Sequence, residues 1–358
     1  PVPFNYNWCS ECGTRYPYRI IASEKSFQTE ISDRYATFKA NTFLDLNGDC
    51  GCLEDLVVSN DQLYALTYNY PVFIPTKPQT LETSTDVAYV GTGEIFSIAP
   101  KRLSTTNYPY GGCRDWMSVT ETEYGTVYVD SKHGKVHRLG SPIEDMQSGM
   151  SNWLEENCNS KLFDQLLRLA GKEYESLRYP INGHGFVSGY DPRHKRLLIT
   201  KKDFELLDES KWGGEKSFLD TATSVPNKVY LDPELGIFWI RANAQHFKLD
   251  TTSGSYFRNY SWTLSYSFRH NAWASYHSYL PYTYFNDGNK LYSLPTSVKN
   301  IYAHDGTSYT LYHNLLKRPF TVECVLNKDA NIVKTFSNLE IVAESTLNGI
   351  DSDVIFNR

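Results

Sequence analysis

The chain has 358 residues, a formal net charge of −6, and 41% hydrophobic and 21% charged residues. That length and composition allow a sizeable buried core. The mildly acidic balance, with no long basic run, excludes a dedicated nucleic-acid surface, because phosphate binding needs clustered Lys and Arg. No apolar stretch approaches the length of a membrane span, and the N-terminal residues carry no signal-peptide-like apolar run.

Aromatic residues make up 15% of the chain, with 27 tyrosines. Tyrosine suits half-buried strands, where the ring packs and the hydroxyl reaches water. The chain opens at Pro1 and reads as a processed product or a piece of something longer. Seven cysteines cannot all pair internally, so reduced thiols in a protein made in the cytosol are the simplest account. Cys113, Cys158 and Cys324 sit singly in apolar or aromatic surroundings and read as small buried hydrophobes.

Four further cysteines lie near the N-terminus as Cys9-Ser10-Glu11-Cys12 and Cys50-Gly51-Cys52. A structural zinc could take four thiolates, and the first spacing suits half of such a site. The second spacing and the long gap between the pairs do not, so free thiols are the favoured reading and zinc the minor one. No other cofactor is expected.

Residues 1–140 read as strands and turns, for example Gln62–Thr67, Ala88–Val90 before the Gly91-Thr92-Gly93 turn, and Glu94–Ile98. The pattern then becomes helical. Ser141-Pro142-Ile143-Glu144 carries a helix-start signature, a second short helix is expected over Met150–Asn157, and a third from about Ser160 to Ala170. The third places Leu162, Phe163, Leu166, Leu167 and Ala170 on one face and should stop at Gly171.

Strands resume at Gly185 and continue past residue 340. One hairpin tip recurs along the chain: Val129–Val136 around Asp130, Tyr190–Leu197 around Asp191, and Leu231–Phe238 around Asp232. Looser copies occur at Tyr266–Trp273, Phe285–Leu291 and Tyr302–Thr307. Each joins two aromatic or aliphatic runs through Asp, Asn, Pro or Gly, which fit tight turns. Repetition of one supersecondary unit at steps of roughly 20 or 40 residues points to four-stranded units in series.

The fold expected is therefore all-β: a β-propeller of about six or seven four-stranded blades with a short α-helical insertion. Residues 1–140 would hold the first blades, 141–180 the helical insertion and 181–318 the remaining blades. Residues 319–358 would form a terminal hairpin (Thr321–Leu326 with Ile332–Phe336, then Glu340–Val342) and the possible start of another β domain. A two-sheet sandwich is the alternative.

Catalytic signatures are missing from the sequence. There is no His-Glu-x-x-His helix, no Gly-x-Ser-x-Gly elbow and no phosphate-binding loop. Propeller glycosidases would need converging carboxylates. Of the candidates Asp115, Asp130, Asp191, Asp232 and Asp305, all but Asp115 sit at hairpin tips, where Asp caps its own turn. His133, His194, His270 and His304 also lie in or beside tips, where exposure is the default. The helical insertion offers Trp153, Leu154, Phe163 and Leu167 as apolar anchors. They would pack within the insertion and onto the propeller, or dock on a neighbouring subunit.

Several of these stretches together resemble the tail stabilisation or muzzle structural proteins of crAss-like bacteriophages. They are Val90–Ile98, Tyr110–Cys113, Gly125–Ser131 with Gly134–Val136, Gly149–Leu154, Gly189–Pro192, Trp262–Ser267 and Trp273–Pro281, and the likeness runs over most of residues 55–345. The family's members are longer, so the chain would be one region of such a protein. The resemblance implies a non-enzymatic virion component made in the bacterial cytoplasm and placed near the end of a short tail. It further implies several copies around the tail axis, partnered by other tail subunits, with host-surface contact left open. The rival reading from the residues is a carbohydrate-binding or carbohydrate-cleaving propeller using Tyr and Trp faces.

Overall fold

The computed structural model describes residues 16–24, 34–76, 79–82, 87–90, 95–104, 106, 108–140, 142–146, 149–174, 177–178, 183–217, 223–242, 245–251, 254–295, 300–305, 311–312, 316–317, 346–347 and 350–351. The chain divides into two units, Pro1–Lys317 and Arg318–Arg358. In the second, Thr346–Leu347 pairs antiparallel with Ile350–Asp351. The terminal strands expected at Thr321–Leu326, Ile332–Phe336 and Glu340–Val342 lie outside the described residues, as do Cys9, Cys12 and Cys324.

Strand dominates the first unit. One antiparallel sheet runs Leu53–Ser59, Gln62–Thr67, Val72–Ile74, Lys101–Arg102. A second runs Thr120–Thr122, Gly125–Asp130, Lys135–Arg138, Glu144–Asp145. A third joins Gly185–Asp191 and Arg196–Lys202 to Trp262–Ser267 and Ala272–His277. Thr283–Asn286, Leu291–Leu294 and Tyr302–Ala303 make a three-stranded sheet.

The third sheet departs from the simple series. Between its second and third strands the chain builds another four-stranded sheet, ordered Trp212–Glu215, Val229–Asp232, Ile237–Ala242, Gln245–Lys248. This sheet is reached and left through the paired strands Phe204–Leu206 and Phe257–Asn259. A regular forty-residue step therefore fails here, because one unit is nested inside another. Trp212–Glu215 also pairs parallel to Val229–Asp232, a pairing that needs a crossover of about a dozen residues, which 216–228 supply.

Five of the recurring tips are hairpins, as expected, while the sixth, Tyr302–Thr307, runs beyond the described residues. Asp130, Asp191 and Asp232 each end a strand and Asp287 directly follows one, and in each case one carboxylate oxygen accepts the backbone N–H groups two and three residues on, at 2.8–3.3 Å. In three of them the last turn residue is left-handed: Gly134 at φ +62°, Lys195 at +54° and Gly236 at +63°. Gly134 has a second constraint, since a Cβ there would lie 2.4 Å from the Glu155 Cα. That tip is the seat of the first helix.

Two α-helices follow, α1 (Ser151–Cys158) and α2 (Lys161–Ala170). The expected helix at Ser141-Pro142-Ile143-Glu144 does not form among the described residues 142–146. Glu144–Asp145 instead completes the second sheet, held by the Arg138–Glu144 ion pair and by His137 Nδ1 at 2.7 Å from Asp145 Oδ1. Residues 95–98 are turn and bend rather than strand, because Phe96 turns in against the core around Ile74.

The helices do not form a bundle of their own. Leu154 and Cys158 of α1 join a core with Val127, Val129 and Val136 of the second sheet and Phe186, Leu197, Ile199 and Leu264 of the third. Leu162, Phe163 and Leu166 of α2 join a different core with Phe204, Val229, Leu231, Phe238 and Phe257 of the nested sheet region. Neighbouring sheets also pack directly. Val57, Tyr64 and Leu66 meet Tyr128 and Leu139, and Val187 and Leu198 meet Tyr284 and Leu291. At the latter junction a Cβ on Gly189 would lie 2.4 Å from the Tyr284 Cβ, so the two sheets approach too closely for any larger residue.

Candidate functional site: a charged junction between the helices

Helix ends leave backbone N–H and C=O groups unpaired and carry partial charges, positive at the start and negative at the finish. Where α1 ends and α2 begins, one buried ion pair answers both. Lys201 Nζ donates to the carbonyls of Asn157 (2.8 Å) and Asn159 (2.6 Å) at the end of α1, and to Asp203 Oδ2 at 2.7 Å. Asp203 in turn accepts the N–H of Lys161 at 2.8 Å, of Leu162 at 3.2 Å and of its neighbour Phe204 at 3.0 Å. Lys201 and Asp203 are 2% and 0% exposed. Each charge thus has a counter-charge and hydrogen bonds, the condition for burying it.

Ser160 is the N-cap of α2, its Oγ accepting the Phe163 N–H at 3.0 Å. The same Oγ lies 2.6 Å from His184 Nε2, and Asp203 Oδ1 lies 3.6 Å from that same nitrogen. A serine, a histidine and an aspartate therefore meet, but not as a nucleophilic relay. In such a relay the acid orients one imidazole nitrogen while the other serves the hydroxyl. Here both partners crowd Nε2, and the carboxylate is occupied by helix N–H groups. Burial pushes the His184 imidazole down to about 4, so it is neutral at pH 7 and packs edge-on against Phe163, 4.5 Å between ring centres. The cluster is helix-capping machinery. It opens onto a cavity of about 160 Å³ lined by Arg114, Ser131, Lys132, Ser160, Arg178 and His184, among others.

A second polar cluster sits in the second sheet. His137, 0% exposed, lies between Asp145 Oδ1 (2.7 Å) and Asp130 Oδ2 (3.8 Å), while Tyr110 donates to Asp145 Oδ2 at 2.5 Å. Burial alone would lower the His137 pKa, but the adjoining carboxylates of Asp130 and Asp145 outweigh it and raise the value. Burial would raise Asp130, yet His133 and His137 hold it down to about 2. The hydrogen bond to His137 keeps Asp145 well below the usual carboxylate range.

The sequence candidates fall as follows. Asp130, Asp191 and Asp232 cap their own turns, and Asp305 pairs with Lys290 at 2.6 Å. These carboxylates serve local structure and do not converge. Of the apolar anchors, Leu154 is 0% and Phe163 7% exposed, both inside the chain's own cores. Trp153 is half-buried, edge-on to Trp262 and Tyr276. An intersubunit role for Leu154 and Phe163 is therefore corrected to an internal one. Leu167, 48% exposed, is the member of the set that faces solvent.

Cys50 is buried and Cys52 half-buried, both free thiols. Cys113 and Cys158 are buried, and burial pushes the Cys158 thiol up to about 12, so it behaves as a small hydrophobe. Among the described residues, no group of three or more His, Cys, Asp or Glu side chains is placed to hold a metal. Sequence reasoning missed Lys201, Asp203 and His137. The only signal was the unusual run Thr200-Lys201-Lys202-Asp203 directly after a buried apolar strand segment.

Comparison with known families decides the wider question. The model of the Crassvirus muzzle protein matches residues 5–297. The chain belongs to the Crassvirus muzzle protein family. It is a structural protein of a crAss-like bacteriophage. The muzzle match takes in both helices, the Lys201–Asp203 pair and the nested sheet, and it also covers the four N-terminal cysteines. It starts before the likeness read from the motifs, at residue 5 rather than 55, and stops earlier, at 297 rather than 345. No curated protein matches the chain. No helix among the described residues is long and apolar enough to cross a membrane.

Proposed function

We propose that this muzzle-family chain is a non-enzymatic structural subunit at the end of a phage tail, present in several copies and working through contacts between subunits. The match to the muzzle family over residues 5–297 carries the reading. A structural role also agrees with the polar clusters, whose side chains are engaged in helix caps, turn caps and strand pairing. We read the sheets as blades of a β-propeller, fed in series except where the 212–248 sheet is nested within another. Three antiparallel four-stranded sheets with shared cores between neighbours support that reading.

Subunit contacts need exposed apolar surface. Leu167 supplies it on α2, and Tyr16, Ile21, Tyr35 and Phe38 supply it near the N-terminus, each more than half exposed. Particle images of the purified protein should show toroidal discs, and mass photometry should show defined oligomers. Leu167→Asp should leave folding intact, within about 0.5 kcal/mol for a surface change, yet shift the oligomer towards monomer. Elongated, solely monomeric wild-type particles would sink the assembly reading.

A further inference from the structure

We propose that the cavity beside the helix junction is a binding site for a small tetrahedral oxyanion of the phosphate or sulfate class. The inference is independent of the tail role above. The cavity, about 160 Å³, is walled by separate parts of the chain: Arg114 and Asp115, the hairpin tip at Ser131-Lys132, the start of α2, Arg178 and His184, and Lys201-Lys202. Liquid water occupies about 30 Å³ per molecule, so the space suits a multi-atom ion with some water better than one bridging water.

Two donors in its wall point to what it takes. Arg114 Nε and Ser131 Oγ are buried and have no hydrogen-bond partner within the chain. Buried polar groups are nearly always satisfied, so two orphans from different elements on one cavity mark the place of a partner from outside. Both can donate, and an arginine fork is matched to oxyanion geometry. Arg114 is only loosely engaged otherwise, with Glu173 at 3.9 Å and half exposed, and Tyr68 at 5.4 Å.

The wall carries Arg114, Lys132, Arg178, Lys201 and Lys202 beside Asp115, Asp164 and Glu173. Lys201 is matched by Asp203, and Lys202 Nζ donates to the Tyr282 carbonyl at 3.3 Å. The N–H groups of Lys161, Leu162 and Phe163 at the start of α2 are taken by Asp203 and Ser160, so the ion would rest on side chains, not on the helix.

The test is calorimetric titration with inorganic phosphate, and thermal melts in phosphate, sulfate or chloride at matched ionic strength. Saturable binding and a midpoint about 2 °C or more higher in phosphate or sulfate are expected. Arg114→Gln should abolish both, and Ser131→Ala should weaken binding about tenfold while keeping its own midpoint in chloride. Should Arg114→Gln fail to fold, Ser131→Ala decides. Equal midpoints in the three salts would overturn the proposal, as would phosphate binding by Ser131→Ala at wild-type strength; the orphaned donors would then be met by water.

Discussion

The two helices are consecutive in the chain, separated by Asn159 and Ser160, yet they are held in opposite ways. α2 carries its boundaries in its own residues: Ser160 caps the start, and Gly171, left-handed at φ +72°, caps the end. α1 has neither. Met150 at its start makes no side-chain cap, and Asn159 after its end is extended. What fixes α1 comes from far along the chain. Lys201 and the Trp262 indole donate to its terminal carbonyls, and Leu154 and Cys158 sink into a core built by two sheets. A short helix of marginal intrinsic stability can thus be defined by tertiary packing alone, while its neighbour is also written locally.

Four measurements break or sharpen that contrast. Asp203→Ala should have the largest effect, because it strips α2 of its distant cap and leaves the Lys201 ammonium buried without a counter-charge. A loss of about 3–5 kcal/mol is expected in chemical denaturation. A loss below about 1 kcal/mol would mean that α2 does not depend on the third sheet.

Leu154→Ala should come next, at about 2–4 kcal/mol, since the side chain is 0% exposed and its removal leaves a void between two sheets. Loss of α1 protection in hydrogen exchange, with α2 still protected, would confirm that the helices belong to separate cores. Equal loss in both would merge them.

The third concerns the sheet on which α1 rests. His137 has a raised pKa, so its contribution is fully present below the unfolded imidazole value of about 6.5 and fades as pH rises through the folded one. Asp130 and Asp145 are depressed, so theirs is present above the unfolded carboxylate value of about 3.9 and fades as pH falls through the folded values. The cluster should stabilise most between about pH 4 and 6.5. Melting temperature should fall from pH 6 to 9, and His137→Gln should flatten that slope. An unchanged slope in the variant would assign the effect elsewhere.

Ser160→Ala should be the mildest, about 1 kcal/mol for a lost N-cap. It removes the local N-cap together with the Ser160–His184 contact, so its ratio to the Asp203→Ala loss gives an upper bound on the local share of that helix.

The same division explains what could be read beforehand. Asp130, Asp191 and Asp232 bond to N–H groups two and three residues away, so the turn they make is complete within a few residues of sequence. The apolar spacing of Leu162, Phe163 and Leu166 likewise marked a buried helix face, and Leu167 at its margin turned out to face solvent. Ser141-Pro142 misled because a locally good helix start lost to a cross-strand ion pair between Arg138 and Glu144. The capping cluster was illegible, since Asp203 reaches Lys161 across 42 positions and no local pattern announces it.

By itself, then, the sequence determined the strand-rich character, the hairpin tips, the extent of α2 and the family likeness, all of which rest on short-range chemistry or on the order of motifs. Tertiary structure alone decided the nesting of the 212–248 sheet, the assignment of the two helices to separate cores, and the burial of Lys201, Asp203 and His137. Those depend on which distant surfaces exclude water together, and a buried charge is tolerable only where remote parts of the chain deliver its partners.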